Sequence, residues 1–127
     1  MWFLGTLLLI SVVSCHKDEH EEVVEAAISF VEPTQGDTLA FNEEIHAEGT
    51  ITGTGELHGY TLTMKNLTTN EELLSASSTN HSESYAFHEH WINTVTDTST
   101  IRIEVKVVLD HEGNTTTKMR DVIAMPL

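Results

Sequence analysis

The sequence is poor in basic residues, cysteine, proline and long apolar runs. Its 127 residues include six Lys or Arg against twenty Asp or Glu, giving a formal net charge of −14. A surface of that sign repels phosphate backbones, which argues against nucleic-acid binding, and it offers no basic patch for anionic lipid. The length fits one domain with its own core, which excludes a large multi-part enzyme.

Motifs that carry common enzyme chemistry are also missing. The sequence has no Gly-x-Ser-x-Gly elbow and no Gly-x-x-x-x-Gly-Lys-Ser/Thr phosphate loop. Gly53-Thr54-Gly55 lacks the following helix that a dinucleotide site requires. His88-Glu89-His90 does not have the His-Glu-x-x-His spacing of a zinc-protease helix. We therefore predict that the protein is not an enzyme.

The one apolar run lies at the N-terminus, from Trp2 to Val13. At roughly 12 residues it is too short to cross a bilayer comfortably, which takes roughly 20. Polar residues follow the single cysteine, Cys15, at once, as they do after a secretory signal. A plain signal peptide, or a buried strand with a free thiol, is the alternative.

The segment Val12-Val13-Ser14-Cys15 resembles a bacterial lipobox, in which the cysteine is lipidated and becomes the new N-terminus. The resemblance implies a lipoprotein signal peptide over residues 1–14. It also implies a membrane anchor of fatty acyl chains, such as palmitate, on Cys15, followed by a flexible acidic tether over residues 15–25. Acyl chains bind membranes because each buried methylene contributes about 0.8 kcal/mol.

Two further short segments resemble signals of the Bacteroidota. Lys17-Asp18-Glu19 is similar to the acidic export signal of their surface lipoproteins, although an ordinary tether has the same composition. Asp37-Thr38-Leu39 is similar to their Asp-Thr-aliphatic O-glycosylation site, which implies modification of Thr38. These resemblances imply an outer-membrane location, with the domain on the cell surface or else on the periplasmic face.

From Ala26 onward apolar residues alternate with polar ones between frequent turn residues, which predicts an all-β domain over residues 26–127. Thr52–Gly55 is predicted as a loop, and Gly113 supplies the positive φ of a hairpin at Asp110–Asn114. Seven strands in about 100 residues predict a seven-stranded, antiparallel, immunoglobulin-like sandwich. The predicted strands are Ala27–Val31, Glu44–Ile51, His58–Lys65, Glu72–Ser75 (a short edge strand), Ser84–Trp91, Ile101–Leu109 and Thr116–Ala124.

The chain also resembles the bacterial immunoglobulin-like domains of cell-surface proteins, over roughly residues 27–125. The resemblance is carried by Pro33-Thr34-Gln35-Gly36-Asp37, by Glu48-Gly49-Thr50 and by the hairpin Asp110-His111-Glu112-Gly113-Asn114. It implies a fold and leaves function open, because such domains serve in adhesion, carbohydrate binding and spacing. The favoured function is a non-catalytic, lipid-anchored surface module that binds or supports a protein partner in an outer-membrane assembly or uptake system.

Histidine, with eight copies, provides the alternative function, capture of a divalent metal. His88 and His90 share one face of a strand about 7 Å apart, and His46 lies on the outward face of a strand that pairs with theirs in an immunoglobulin-like sheet. Zn²⁺ or Cu²⁺ would bind these three imidazoles, with Glu48 as a carboxylate ligand. The competing interpretation is a solvated polar surface that binds nothing.

Two details of this hypothesis remain open. Glu89 falls on the inward face, which predicts a bulge or a strand end there and puts the register in doubt. His58, His81 and His111, together with Asp110, are weaker candidates for a metal site.

Overall fold

The computed structural model describes residues 23–127 as an all-β domain of two sheets that share one core. The strands are β1 (Ala26–Glu32), β2 (Thr38–Leu39), β3 (Glu44–Leu57), β4 (Tyr60–Asn66), β5 (Glu71–Ser78), β6 (Ser82–Ile92), β7 (Ser99–Val108) and β8 (Thr115–Ala124). The smaller sheet has the order β1-β3-β6, and the larger has the order β2-β8-β7-β4-β5. The all-β prediction is therefore confirmed. The predictions for the signal peptide, Cys15 and Lys17-Asp18-Glu19 lie outside the described residues.

The core is built from the alternating apolar residues that the sequence displays. Along β7, residues 101, 103, 105 and 107 are fully buried, whereas Lys106 is exposed and Arg102 and Glu104 are half-buried. Along β3, Ile45, Ala47 and Ile51 are buried from the other sheet. Burying one such aliphatic side chain contributes about 1.5–3 kcal/mol to the free energy of folding. The buried residues of β3 and β7 therefore contribute much of the energy that holds the two sheets together.

The predicted loop at Thr52–Gly55 is wrong, because these residues continue β3. Gly53 pairs with Ala26 of β1, and the N–H of Thr54 donates to the carbonyl of Glu25 at 2.9 Å. The extra residues are absorbed as an irregularity in the pairing with β6, between Thr52 and Leu57. The two glycines favour a turn locally, but threonine favours a strand, and hydrogen bonds to residues far away in the sequence keep this segment extended.

The strand count is eight among the described residues, where seven were predicted. The additional strand β2 pairs in parallel with the end of β8, and Leu39 on it is buried. Strand β5 is longer than predicted and pairs with β4 along its length, from Tyr60↔Ser78 to Asn66↔Glu71. The packed domain also begins before residue 26, the predicted boundary, because Val24 packs partly against the core.

The β7–β8 hairpin has the predicted turn, with Gly113 at φ 84°. The Asp110 carboxylate accepts hydrogen bonds from the N–H groups of Glu112 and Asn114 and from the Asn114 side-chain amide, at 2.7–3.1 Å. The side-chain bond from Asn114 contributes most to lowering the pKa of Asp110, and the backbone bonds add to it. Asp110 thus holds the turn together as an ionised acceptor.

The aromatic residues mostly fill the core, as the alternation predicts. Phe87 is buried, and Tyr60, Tyr85 and Trp91 are half-buried against the same cluster. Within residues 23–127 the structure has no helix with the length and apolar character that crossing a membrane requires.

Candidate metal centre

Strands β3 and β6 place three histidines together on the outward face of the smaller sheet. In the antiparallel register His46 stands opposite His90, and Glu48 stands opposite His88. The neighbouring residues Ile45 and Ala47 are buried, which turns His46 outward by the two-residue period of the strand. The predicted pairing of these two strands and the predicted face of His46 are therefore confirmed.

The three imidazoles converge on one point. Nδ1 of His46 lies 3.2 Å from Nε2 of His88 and 3.3 Å from Nδ1 of His90. One ligand atom from each ring lies within 4.8 Å of the other two. A tetrahedral Zn²⁺ with Zn–N bonds of about 2.0–2.1 Å separates its ligand nitrogens by roughly 3.3–3.4 Å. Two of the three nitrogen–nitrogen distances therefore already match the distance between two ligands of a tetrahedral zinc site.

Hydrogen bonding among the rings cannot satisfy this arrangement fully. Nδ1 of His46 faces both other rings, yet in the neutral imidazole a ring nitrogen carries either one proton or one lone pair. Nδ1 of His46 therefore forms a well-directed bond with only one neighbour, and the second contact is poorly directed. A metal ion resolves the conflict because it accepts a lone pair from each neutral ring.

The carboxylate closest to these rings is Glu44, which sequence reasoning missed. Its oxygens lie 3.8 Å from Nε2 of His46 and 3.5 Å from Nδ1 of His90. Glu44 precedes His46 by two positions on the same strand face, so the period of two would have identified it. The predicted ligand Glu48 stands beside His88 in the register but is not part of the group whose ligand atoms converge.

Glu44 can act through His46. A carboxylate that accepts the outer N–H of a metal-bound imidazole fixes its tautomer and raises its basicity. Because Nδ1 of His46 is the nitrogen shared with the other rings, Nε2 is the atom that faces Glu44, at 3.8 Å, and this distance must shorten before its N–H donates to the carboxylate. The geometry therefore favours Nδ1 as the metal-binding atom of His46.

The surroundings of this histidine group are open and acidic. The side chains of His46, His90 and Glu44 are 39–50% exposed. Glu32 of β1 stands opposite Glu48, which in turn stands opposite His88. A cleft of about 500 Å³ adjoins the group and is lined in part by Glu32, Glu43, Glu44 and His46. Negative charge of this density raises the local concentration of cations.

Glu89 does not break the register, contrary to the expectation from its inward position. It pairs with Ala47, and the pairing continues without a bulge to Ile92. Its side chain is half-buried, and its charge is felt at Tyr60 of the other sheet. Burial mainly, and then the Glu89 carboxylate, raise the pKa of Tyr60. The strand accommodates Glu89 because β6 lies at the edge of its sheet.

The remaining predicted site residues lie elsewhere. His58, His81 and His111 gather at the opposite end of β3 with Glu56, whereas the Asp110 carboxylate is engaged in its own hairpin. Thr38 is exposed on β2.

The functional assignment of this chain rests on the geometry of the histidine group described above. No protein-family model matches the chain, and no curated protein matches its sequence.

Proposed function

We propose that this protein captures a divalent transition-metal ion, Zn²⁺ or Cu²⁺, through His46, His88 and His90. The observation that carries the proposal is the convergence of three ring nitrogens at 3.2 and 3.3 Å around Nδ1 of His46. Imidazole nitrogens suit both ions, and three of them leave one coordination position for water, a carboxylate or a ligand from a partner.

The exposed position of the histidine group suits binding and release of a metal ion better than catalysis. Zinc enzymes surround the metal with a dry, shaped cavity, which strengthens its effect on bound water. Here the imidazoles of His46 and His90 are 39% and 50% exposed on the flat face of a sheet. An ion at this position is accessible to solvent and to another protein. The proposal is therefore a non-catalytic carrier or sensor of metal.

The proposed framework is an immunoglobulin-like sandwich tethered outside the cell. The sheet orders β1-β3-β6 and β8-β7-β4-β5 support the immunoglobulin-like assignment, with β2 as an added short strand. The lipobox-like segment ending at Cys15 supports a lipid anchor at the outer membrane, with the domain at the cell surface. A protein partner in that membrane, such as an uptake receptor, would then receive or monitor the ion. Intact-mass measurement of the native protein tests the anchor: acylated Cys15 as the first residue supports it, and an unmodified thiol opposes it.

Titration of the full chain with Zn²⁺ and with Cu²⁺ tests metal capture. We expect a dissociation constant in the micromolar range or tighter, and loss of one bound equivalent in the triple variant His46→Ala/His88→Ala/His90→Ala. The double variant His16→Ala/His20→Ala is the control for loose binding by the N-terminal segment, and it should retain that equivalent. Circular dichroism of each variant checks that the fold is kept.

The opposite result is equally clear. Millimolar affinity that the triple variant leaves unchanged would mean that the histidines on β3 and β6 are only a solvated surface.

A further inference from the structure

A second group of potential metal ligands lies far from the first, where three chain connections meet. Glu56 is near the end of β3, His58 follows it, His81 precedes β6, and His111 is in the β7–β8 hairpin. We call these four residues the loop-end cluster. Ten residues of β3 separate Glu56 from His46, so at about 3.3 Å per residue the two groups lie roughly 30 Å apart.

Three of the four side chains already present their ligand atoms together. One ligand atom each from Glu56, His58 and His81 lies within 4.8 Å of the others. Nδ1 of His81 is 3.2 Å from a carboxylate oxygen of Glu56. A mixed set of one carboxylate and two imidazoles is a common donor set for Zn²⁺.

The ring of His111 stands beside the other two without joining them. Its centroid is 4.2 Å from that of His58 and 6.3 Å from that of His81. Its ligand atoms are not among those that converge within 4.8 Å. His111 is exposed, and exposed side chains change rotamer readily.

Tyr85 fixes the backbone on both sides of the cluster. Its hydroxyl accepts a hydrogen bond from the N–H of Gly59 at 3.0 Å and lies within donating distance of the carbonyls of Leu57 and Asn80. Leu57 and Gly59 flank His58, and Asn80 precedes His81. One half-buried phenol thus ties together the two connections that carry these imidazoles.

The same segment is also joined to β7. The N–H of His58 donates to the carbonyl of Val108 at 2.8 Å, and the N–H of Val108 donates to the carbonyl of Gly59 at 2.9 Å. These bonds place His58 next to the hairpin that carries His111. The backbone positions of the cluster are therefore set by the fold before any ion arrives, which lowers the entropic cost of binding.

We propose that the loop-end cluster is a second divalent-metal site, with Glu56, His58 and His81 as ligands and His111 closing it. Tyr85 is a positioning residue. The proposal does not depend on the first site, because no residue is shared. A bound ion would link the β3–β4, β5–β6 and β7–β8 connections, which the described structure joins through hydrogen bonds, the Glu56–His81 pair and edge or tilted contacts between rings.

Metal stoichiometry of the full chain tests this proposal, with Zn²⁺ as the probe under competition from a chelator of known affinity. We expect two equivalents for the parent protein. The variant His58→Ala/His81→Ala should bind one equivalent, and the variant His46→Ala/His88→Ala/His90→Ala should also bind one. Combining all five substitutions should leave none, and circular dichroism confirms that each variant is folded.

The two proposals fail separately in this experiment. Suppose that the parent binds one equivalent of Zn²⁺ and that only the variant His46→Ala/His88→Ala/His90→Ala loses it. The second site is then refuted and the proposed function stands. If the single equivalent is lost only in His58→Ala/His81→Ala, the second site stands and the proposed function fails. If the second site is refuted, the contact between His58 and His81 is only a packing contact between two rings, whose centroids are 4.2 Å apart and whose planes are tilted by 34°.

Two substitutions test the details of the site. His111→Ala should weaken Zn²⁺ binding at the loop-end cluster by at least about tenfold, because it removes a direct ligand, and unchanged affinity would remove His111 from the site. Tyr85→Phe should weaken binding at the same cluster while leaving the affinity of the β3–β6 site unchanged. An equal loss at both sites would show that Tyr85 acts only on global stability.

The distance between two bound Cu²⁺ ions gives an independent measurement. Pulsed dipolar electron paramagnetic resonance on the protein loaded with two equivalents should report a separation of roughly 30 Å. A single uncoupled Cu²⁺ signal at two equivalents of tight binding would contradict the two-site arrangement.

Discussion

Nδ1 of His46 and Nδ1 of His90 lie 3.3 Å apart, from directly opposite positions of the antiparallel pair β3–β6. Opposite residues in such a pair have Cβ atoms only about 4.5–5.5 Å apart, so two rings on one face inevitably meet. His88 joins them diagonally, because it stands two residues from His90 on the same strand. The convergence of these three histidines thus follows from the register of β3 and β6 and from their shared outward face.

Glu44 should strengthen metal binding at this centre more than Glu48 does. Glu44→Gln removes the carboxylate that faces Nε2 of His46, and the affinity for Zn²⁺ should fall by about tenfold. Glu48→Gln is the matched control on the same strand face and should have a smaller effect. Isothermal titration of the two variants measures the difference. A larger loss in Glu48→Gln would identify Glu48 as a ligand and Glu44 as a bystander.

Adjacent residues of β3 should differ sharply in their contribution to stability. Ile51 is fully buried, and Ile51→Ala should lower the free energy of unfolding by about 2–5 kcal/mol through lost burial and the cavity left behind. Thr50 points outward and is exposed, so Thr50→Ala should change that free energy by no more than about 1 kcal/mol, the range of strand propensity. Urea unfolding of the two variants checks the assigned faces. Similar losses in both would contradict the register of β3.

Asp110 should make the stability of the protein depend on pH at the acidic end. Its pKa is lowered from the ordinary 3.8 by hydrogen bonds, chiefly from Asn114, so the folded state favours the ionised form. That stabilisation is present above pH 3.8 and is lost as pH falls through the lower pKa of the folded state. Asp110→Ala should therefore lower the melting temperature at pH 7, and the difference from the parent should shrink below about pH 4.

Glu112→Gln is the control for this pH dependence, because it changes a carboxylate of the same hairpin that takes no part in those bonds. Its melting temperature should follow the parent at every pH. A difference for Asp110→Ala that stays constant from pH 7 to pH 3 would show that the charge of Asp110 is irrelevant.

Two glycines with positive φ should respond differently to alanine. Gly113, at φ 84°, has open space where a Cβ would stand, so Gly113→Ala should cost only the backbone strain of about 1–2 kcal/mol. Gly59, at φ 108°, would place a Cβ 2.5 Å from the carbonyl oxygen of Ser78, and Gly59→Ala should cost about 2–5 kcal/mol. Chemical denaturation ranks the two variants. The reverse ranking would mean that the β3–β4 turn is not packed against Ser78.

Much of this domain could be predicted because its strands alternate so regularly. The faces of β3 and β7 follow from Ile45, Ala47 and the apolar series of residues 101–107, and the histidine group follows from those faces together with the pairing of β3 and β6. The strand faces are local information with a period of two residues, whereas the pairing of β3 with β6 follows only from the strand order of an immunoglobulin-like sandwich.

The errors occur where distant contacts override local signals. Thr52–Gly55 reads as a turn, but pairing with Ala26 and a hydrogen bond to Glu25 hold it extended. Strand β2 has only two residues and exists because β8 provides a parallel partner. His58, His81 and His111 were named as candidates by residue type, but Glu56 was missed and Asp110 was wrongly included, because only the meeting of three connections around Tyr85 selects the members of the cluster.

Anomalous diffraction at the zinc edge from crystals of the Zn²⁺-loaded protein tests the central claim most directly. The account predicts a peak about 2.0–2.1 Å from Nδ1 of His46, Nε2 of His88 and Nδ1 of His90. Ordered imidazoles at these three positions, with no zinc peak between them at saturating metal, would contradict it.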